Sequence, residues 1–106
     1  MPYRIEEYTD GGWSPFGEWF EDLDPVTAAR VDRYLRRLEA GNFGAAKALR
    51  AGVFELRLDF GPGYRVYYGL DGKTLVVLLG GGDKRRQSAD ITAAVERWRR
   101  YKKGTV

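Results

Sequence analysis

Apolar residues recur along the chain first at helical spacing and then at every second position. Phe16, Trp19 and Leu23 lie three or four residues apart after Pro15, which predicts a short helix. From Val53 onward apolar and polar residues alternate, which predicts strands. Seven elements are therefore expected in the order β-α-α-β-β-β-α, over residues 3–8, 15–23, 25–40, 53–60, 64–70, 74–79 and 88–103.

These elements predict one compact α+β domain over residues 1–106, a length typical of a single domain. Two tightly joined helices form an α-hairpin, and the last helix closes the chain. The strand over 74–79 is apolar on both sides, so it is expected at the centre of a mainly antiparallel, four-stranded sheet. Residues 42–52 are small and mixed, and are expected to form an irregular connector.

The composition excludes several classes of chemistry. The chain has no cysteine and no histidine, so disulfides, thiolate metal sites and histidine-based catalysis are absent. No acidic cluster has metal-ligand spacing, and no glycine-rich motif has the spacing of a phosphate-binding loop. We therefore expect neither a metal nor another cofactor.

Apolar runs are short throughout the chain. The longest, Leu75–Leu79, is far below the roughly 18 residues that a membrane span needs. The first residues also lack the apolar core of a signal peptide. We therefore expect a cytoplasmic protein that does not bind a membrane.

The net charge of +3 is distributed unevenly. Residues 1–24 carry one basic and seven acidic side chains, whereas residues 84–106 carry eight basic and two acidic ones. Arginine outnumbers lysine 13 to 5, and its planar guanidinium suits bidentate contact with phosphate. The charges fit a solvated surface or a polyanionic partner equally well. For a nucleic acid, the candidate binding residues are Arg85, Arg86, Arg99, Arg100, Lys102 and Lys103.

A polar row is expected on one face of the sheet. Glu55 and Arg57 are two residues apart on one predicted strand, and so are Arg65 and Tyr67 on the next. Lys84 follows the central strand and should lie beside this hairpin. Ordinary cross-strand pairing on an exposed face would explain Glu55 and Arg57. Arg65 lies within an aromatic stretch, so partial burial is expected, and a buried arginine needs an anion.

Such a group could cleave RNA without a metal or a histidine. The ribose 2′-hydroxyl attacks the adjacent phosphate, so the protein need only align the atoms, neutralise charge and move protons. Arg57, Arg65 and Lys84 could bind the phosphate, Glu55 could act as the base, and a lysine or tyrosine as the acid. The residues permit this reaction without requiring it.

The stretch from residue 52 to residue 91 resembles the RelE/ParE superfamily of bacterial toxins. The strings FELRLDFGPGYRVYYG and LLGGGDK carry the resemblance, which is strongest to the HigB-like, phage-derived "addiction module killer" branch. The resemblance implies a RelE-like α+β fold and a toxin neutralised by a cognate antitoxin, usually one with a helix-turn-helix DNA-binding part. It also implies a ribosome-dependent endoribonuclease that cuts mRNA and inhibits translation.

The resemblance also assigns roles to individual residues. Arg57 matches a basic strand position in the active cleft, Arg65 matches the arginine that contacts the scissile phosphate, and Lys84 matches a further catalytic cation. The chain departs from the pattern at Glu55, where well-known members have lysine, and at 90–91, where they have a catalytic tyrosine. Either Glu55, Tyr67 or Tyr68 replaces the missing acid and base, or catalysis rests mainly on charge stabilisation.

Two other functions stay open at this stage. Some members of the superfamily inhibit DNA gyrase and cut no RNA, and a shared fold does not decide between functions. A gyrase inhibitor should not need Arg57, Arg65 and Lys84 together, which favours RNA cleavage. A non-catalytic module that binds RNA or the ribosome would use the same cations.

Overall fold

The predicted starts of the first two helices are confirmed in the computed structural model, which describes residues 2–104. The Ser14 hydroxyl accepts a hydrogen bond from the Gly17 N–H at 2.9 Å, and the Asp24 carboxylate accepts one from the Thr27 N–H at 3.0 Å. Each cap precedes a proline at the first helical position. The helices and strands are β1 (Arg4–Glu7), α1 (Pro15–Glu21), α2 (Pro25–Glu39), β2 (Ala46–Ala48), β3 (Val53–Arg57), β4 (Arg65–Asp71), β5 (Leu75–Gly82) and α3 (Gln87–Gly104).

The sheet has five strands in the order β1-β5-β4-β3-β2, so the expected count of four was wrong. β1 runs parallel to β5, and the other neighbours are antiparallel. The additional strand, β2, lies inside the segment predicted to be irregular. Its short Ala-Lys-Ala sequence has no apolar alternation, and the free edge of β3 provides its hydrogen-bonding partners.

β5 extends to Gly82, three residues beyond the predicted end. Its last three residues are glycines, and side chains from other elements pack against the strand where a Cβ would otherwise stand. The ring of Trp19 packs against Gly81 where a Cβ would stand. Arg97 and Asp90 approach Gly80 and Gly82 in the same way. The three glycines therefore continue the strand, whereas the sequence pattern indicated a loop.

Two apolar cores cover the two faces of the sheet. α1 and α2 pack on one face around Leu35, Leu56 and Val66. α3 covers the other face, where Trp98 packs with Tyr67. The predicted α+β class and C-terminal helix are confirmed, and the α3 face carries the polar row. None of the helices within residues 2–104 combines the length and apolar character needed to cross a membrane.

Candidate functional site

The four side chains of the predicted polar row share one face of the sheet, as expected. In the register of β3 and β4, Glu55 lies opposite Tyr67 and Arg57 lies opposite Arg65. Paired residues, and residues two apart on a strand, project from the same side of a sheet. The row therefore runs from the interior beneath α3, at Glu55 and Tyr67, to the end of the sheet, at Arg57 and Arg65.

Arg65 is buried, and its anion comes from within the protein. Its Nε lies 3.5 Å from Glu55 Oε2, and the two side chains are 7% and 2% exposed. Gln87 Nε2 donates a hydrogen bond to the same Glu55 oxygen at 2.9 Å. Arg65 Nη1 donates to the Gly63 carbonyl at 2.6 Å. These contacts hold the guanidinium in one orientation.

The two tyrosines considered as proton-transfer groups lie on opposite faces. Tyr67 is buried opposite Glu55, and its hydroxyl has no well-formed hydrogen bond to any residue in the described part of the chain. Burial and the neighbouring Glu55 carboxylate raise the pKa of Tyr67. Tyr68 points into the α1–α2 core, stacks on Phe54, and has its pKa raised to about 12 by burial. Only Tyr67 therefore belongs to the polar row.

A shallow groove of about 300 Å³ lies at the end of the β3–β4 hairpin and includes Arg57, Gly63 and Arg65 in its lining. Lys84 stands beside the same turn, because its N–H donates to the Pro62 carbonyl at 3.4 Å. A Cβ on Gly63, which has a φ of 77°, would lie 3.2 Å from the Lys84 Cβ. Two arginines therefore line the groove, and Lys84 lies beside its Gly63 wall.

The segment after β5 leaves two of its cations free. The Asp83 carboxylate accepts a hydrogen bond from the Arg85 N–H at 2.9 Å and pairs with the Arg85 guanidinium at 3.1 Å. Lys84 and Arg86 are exposed, and neither side chain forms a hydrogen bond or a salt bridge with another residue of the described range 2–104; Arg86 faces Asp90 only at longer range. Arg57 is also exposed, and its side chain forms no hydrogen bond or salt bridge with another residue of the described chain. These three side chains can reach an anion without first breaking a salt bridge.

The two predicted RNA-binding segments do not form one surface. Residues 85–86 precede α3, whereas residues 99–103 occupy its last turns. At about 1.5 Å per residue, Arg99 lies roughly 18 Å along the helix from Gln87. The Tyr101 hydroxyl donates to the Asp71 carboxylate at 2.7 Å, which fixes the second segment at the opposite end of β4 from Arg65.

Part of the second segment already pairs within the helix. Arg99 and Arg100 both hydrogen-bond Glu96, at 2.6 and 3.0 Å, and these bonds lower the pKa of that carboxyl to about 2. Exposed pairs of this kind are weak, so phosphates can compete for the arginines. Lys103 is exposed and pairs with no other residue of the described chain.

Sequence reasoning missed one member of the site. Gln87 bonds Glu55 across 32 residues of sequence, and a glutamine at a helix start carries no pattern that would identify it. Within residues 2–104, no three acidic side chains lie close enough together to hold a metal ion. The local chemistry therefore rests on arginine, lysine, one carboxylate and one phenol.

Family comparison covers most of the chain. Residues 18–102 match the model of the family described as "Phage derived protein Gp49-like (DUF891)". The chain belongs to the Gp49-like family. A relative of this Gp49-like protein, an uncharacterized protein of Haemophilus influenzae, is 45% identical over 80 residues, which are 74% of this chain and 81% of the relative.

The Gp49-like chain also shares its fold with a toxin of known structure. It superimposes on an arginine-to-alanine double mutant of the E. coli toxin RelE in the free state with a TM-score of 0.68. The match covers 92% of this chain and 98% of RelE at 20% sequence identity. The fold that the sequence resemblance implied is thus confirmed: this Gp49-like protein has a RelE-like fold.

Proposed function

We propose that this Gp49-like protein is the toxin of a type II toxin–antitoxin module and a metal-independent endoribonuclease that cuts mRNA on the ribosome. The proposal rests on two arginines, Arg57 and Arg65, that line one groove, and on Lys84 beside the Gly63 wall of that groove. Membership of the phage-derived Gp49-like family and the fold shared with the toxin RelE support it. Because its substrate is translated mRNA, the protein acts in the cytoplasm.

The proposed reaction needs little from the protein beyond charge and alignment. The ribose 2′-hydroxyl gives its proton to a base and its oxygen attacks the adjacent 3′-phosphorus. The bond to the 5′-oxygen breaks, that oxygen takes up a proton, and a 2′,3′-cyclic phosphate remains. Negative charge accumulates on the phosphorane oxygens during this step. Arg57, Arg65 and Lys84 stabilise that charge, and groups oriented before the reaction do so most effectively.

Arg65 is the best oriented of the three cations. Glu55 and the Gly63 carbonyl fix its guanidinium, so it meets the phosphate without losing side-chain freedom. Arg57 and Lys84 are exposed and unpaired among the described residues, and they close around the phosphate from the rim.

Glu55 has two candidate roles. The sequence-based hypothesis makes it the general base, yet the side chain is 2% exposed and already bonded to Arg65 and Gln87. Those contacts favour a positioning role through Arg65. Glu55→Gln separates the roles, because a positioning defect lowers cleavage equally at every pH, whereas loss of a base also removes a limb of the pH–rate profile.

The proton for the leaving oxygen has two candidate donors. Lys84 is exposed at the groove, and Tyr67 keeps its proton because its pKa is raised. Tyr67 is buried, so it would have to act through Glu55 and Arg65. Lys84 is therefore the more direct donor.

The remaining cations serve to dock the protein. Arg85 and Arg86 adjoin the groove and extend the contact along the mRNA, whereas Arg99, Arg100, Lys102 and Lys103 reach a separate stretch of ribosomal RNA. The contacts of Arg85 and of the α3 segment are made to phosphates and carry no sequence information. The antitoxin, expected to carry a helix-turn-helix, neutralises the toxin by covering the groove or displacing α3.

Cell-free translation of a reporter mRNA, followed by primer extension, tests the activity. The wild-type protein should produce discrete cuts only while ribosomes are translating. Arg57→Ala and Lys84→Ala should abolish them, whereas Arg4→Ala, which removes an exposed arginine on β1, should not. Intact mRNA together with inhibited DNA supercoiling would replace the ribonuclease with a gyrase inhibitor.

A further inference from the structure

A second cavity, of about 390 Å³, lies along the last residues of β5 at the same end of the sheet as the groove. Gly81, Gly82 and Asp83 form its wall on the strand side. Gly82 is the pairing partner of Arg65, and paired strands lie about 4.8 Å apart. The cavity is therefore one strand away from the proposed phosphate-binding arginine.

Trp13 forms an aromatic wall of this cavity, and the wall is held in place. The Trp13 ring is 45% exposed, and its Nε1 donates to Glu18 at 2.7 Å. The Arg97 guanidinium lies 5.5 Å from the ring centroid and donates to the Leu79 carbonyl at 3.0 Å. An indole fixed in this way offers a flat surface without losing much freedom on binding.

Asp90 supplies an unused acceptor in the cavity. Its side chain is half-buried and packs against the backbone of Gly82. Within residues 2–104 the carboxylate makes no hydrogen bond and no salt bridge; Arg86 and Arg97 face it only at longer range, and burial raises its pKa. A partly buried carboxylate without a donor is an unfavourable arrangement unless a ligand provides the donor.

The mixture of charges restricts what can enter. Four acidic residues and two arginines line the cavity, namely Glu18, Asp22, Asp83, Asp90, Arg86 and Arg97. The carboxylates repel a phosphate, and the arginines repel a lysine or arginine from a partner protein. A neutral, planar ring that carries both donors and acceptors can donate hydrogen bonds to the carboxylates and accept them from the arginines.

We propose that this cavity binds an unpaired base of the RNA next to the cleaved phosphate, and that it prefers guanine. Guanine presents N–H donors on one edge for Asp90 and the O6 and N7 acceptors on another for Arg86, while its ring stacks on Trp13. Uracil and cytosine offer a smaller stacking surface, and adenine lacks the O6 acceptor. The inference rests on the proposed ribonuclease function and adds the base that it selects.

The test measures base selection separately from cleavage. Four short oligonucleotides that differ at one base, each 2′-O-methylated so that no attacking hydroxyl is present, are titrated against the full chain. Tryptophan fluorescence reports binding, because two of the three tryptophans, Trp13 and Trp19, line the cavity. The guanine oligomer should bind about tenfold more tightly than the uracil oligomer, as expected when stacking and base-edge contacts are both gained.

Two variants and one control localise the effect. Asp90→Asn keeps the shape but removes the charge, and Trp13→Ala removes the exposed ring; each should reduce the preference for guanine to less than about twofold. Asp32→Asn, on the exposed face of α2, should leave it unchanged. Thermal unfolding of each variant shows that it is folded.

The outcomes separate this inference from the proposed function. Equal affinity for all four oligomers, or a preference that survives both variants, would overturn the base-binding cavity even if mRNA is cut. A guanine preference that depends on Asp90 would support the cavity even if mRNA stays intact, and the ribonuclease assignment alone would then fail.

Discussion

Glu55 and Arg65 form a salt bridge in which both side chains are nearly solvent-free, and each therefore depends on the other. The cost of removing two charges from water is offset only while both are present and hydrogen-bonded. Gln87 and the Gly63 carbonyl supply the additional hydrogen bonds. The pair thus couples the orientation of the proposed phosphate ligand to the stability of the fold.

Arg65→Ala should lower the free energy of unfolding by about 3–5 kcal/mol, because it leaves Glu55 buried without its cation. Urea denaturation measures the change. Arg65→Met combined with Glu55→Gln should recover much of the loss, since no buried charge remains. A double variant as unstable as Arg65→Ala would contradict this account of the pair.

Tyr101 should make stability depend on alkaline pH. Its hydrogen bond to Asp71 raises the pKa of Tyr101 to about 12, against an ordinary value of 10.0. The folded state then keeps a proton that the unfolded state loses, so this contribution is complete below pH 10 and disappears as the pH rises toward 12. Urea midpoints measured from pH 9 to pH 12 should fall less steeply for Tyr101→Phe. Parallel curves for the two proteins would refute the coupling.

At the level of elements, glycine determines how closely α3 approaches the sheet. Trp98 lies against Gly69 on β4, where a Cβ would stand 2.6 Å from the ring. Gly69→Ala should therefore cost about 1–3 kcal/mol of unfolding free energy through overpacking. Thermal and urea unfolding would detect it. Gly104→Ala, which meets no atom within 4 Å, is the matched control and should be neutral.

The sequence predicts elements well where short-range interactions, such as a helix cap or the alternation of apolar residues, determine them. Ser14 and Asp24 mark helix starts through their own hydrogen bonds, and alternation from Val53 marks β3. β2 could not be foreseen, because its pairing depends on the free edge of β3. The length of β5 was hidden because glycines usually end a strand, whereas here Trp19 and two other side chains fill the space above them.

In the candidate site, too, local sequence predicts some features, whereas others depend on long-range packing. Strand periodicity places Glu55, Arg57, Arg65 and Tyr67 on one face without any tertiary information. The burial of Glu55 and its bond to Gln87 arise only when α3 packs over the sheet. Long-range contacts of this kind leave no trace in local spacing.

At the scale of the whole molecule, the two groups of cations lie at opposite ends of β4, so RNA contacts should be separable. Removing one phosphate-binding cation should reduce the slope of log affinity against log salt by about one. Lys103→Ala should show this reduction in ribosome-binding titrations. Lys47→Ala, which removes an exposed lysine on β2, should not. Binding that does not weaken between low and physiological salt would contradict a phosphate-based interface.

The most direct test of the ribonuclease is the single-turnover rate of mRNA cleavage on programmed ribosomes. Lys84 is exposed, so Lys84→Ala should fold normally and bind ribosomes nearly as well as the wild type. Its cleavage rate should nevertheless fall by about 10²–10³-fold, the usual effect of losing one group that stabilises transition-state charge. Arg4→Ala should cut at the wild-type rate. Equal rates for Lys84→Ala and the wild type would show that the groove is not where RNA is cleaved.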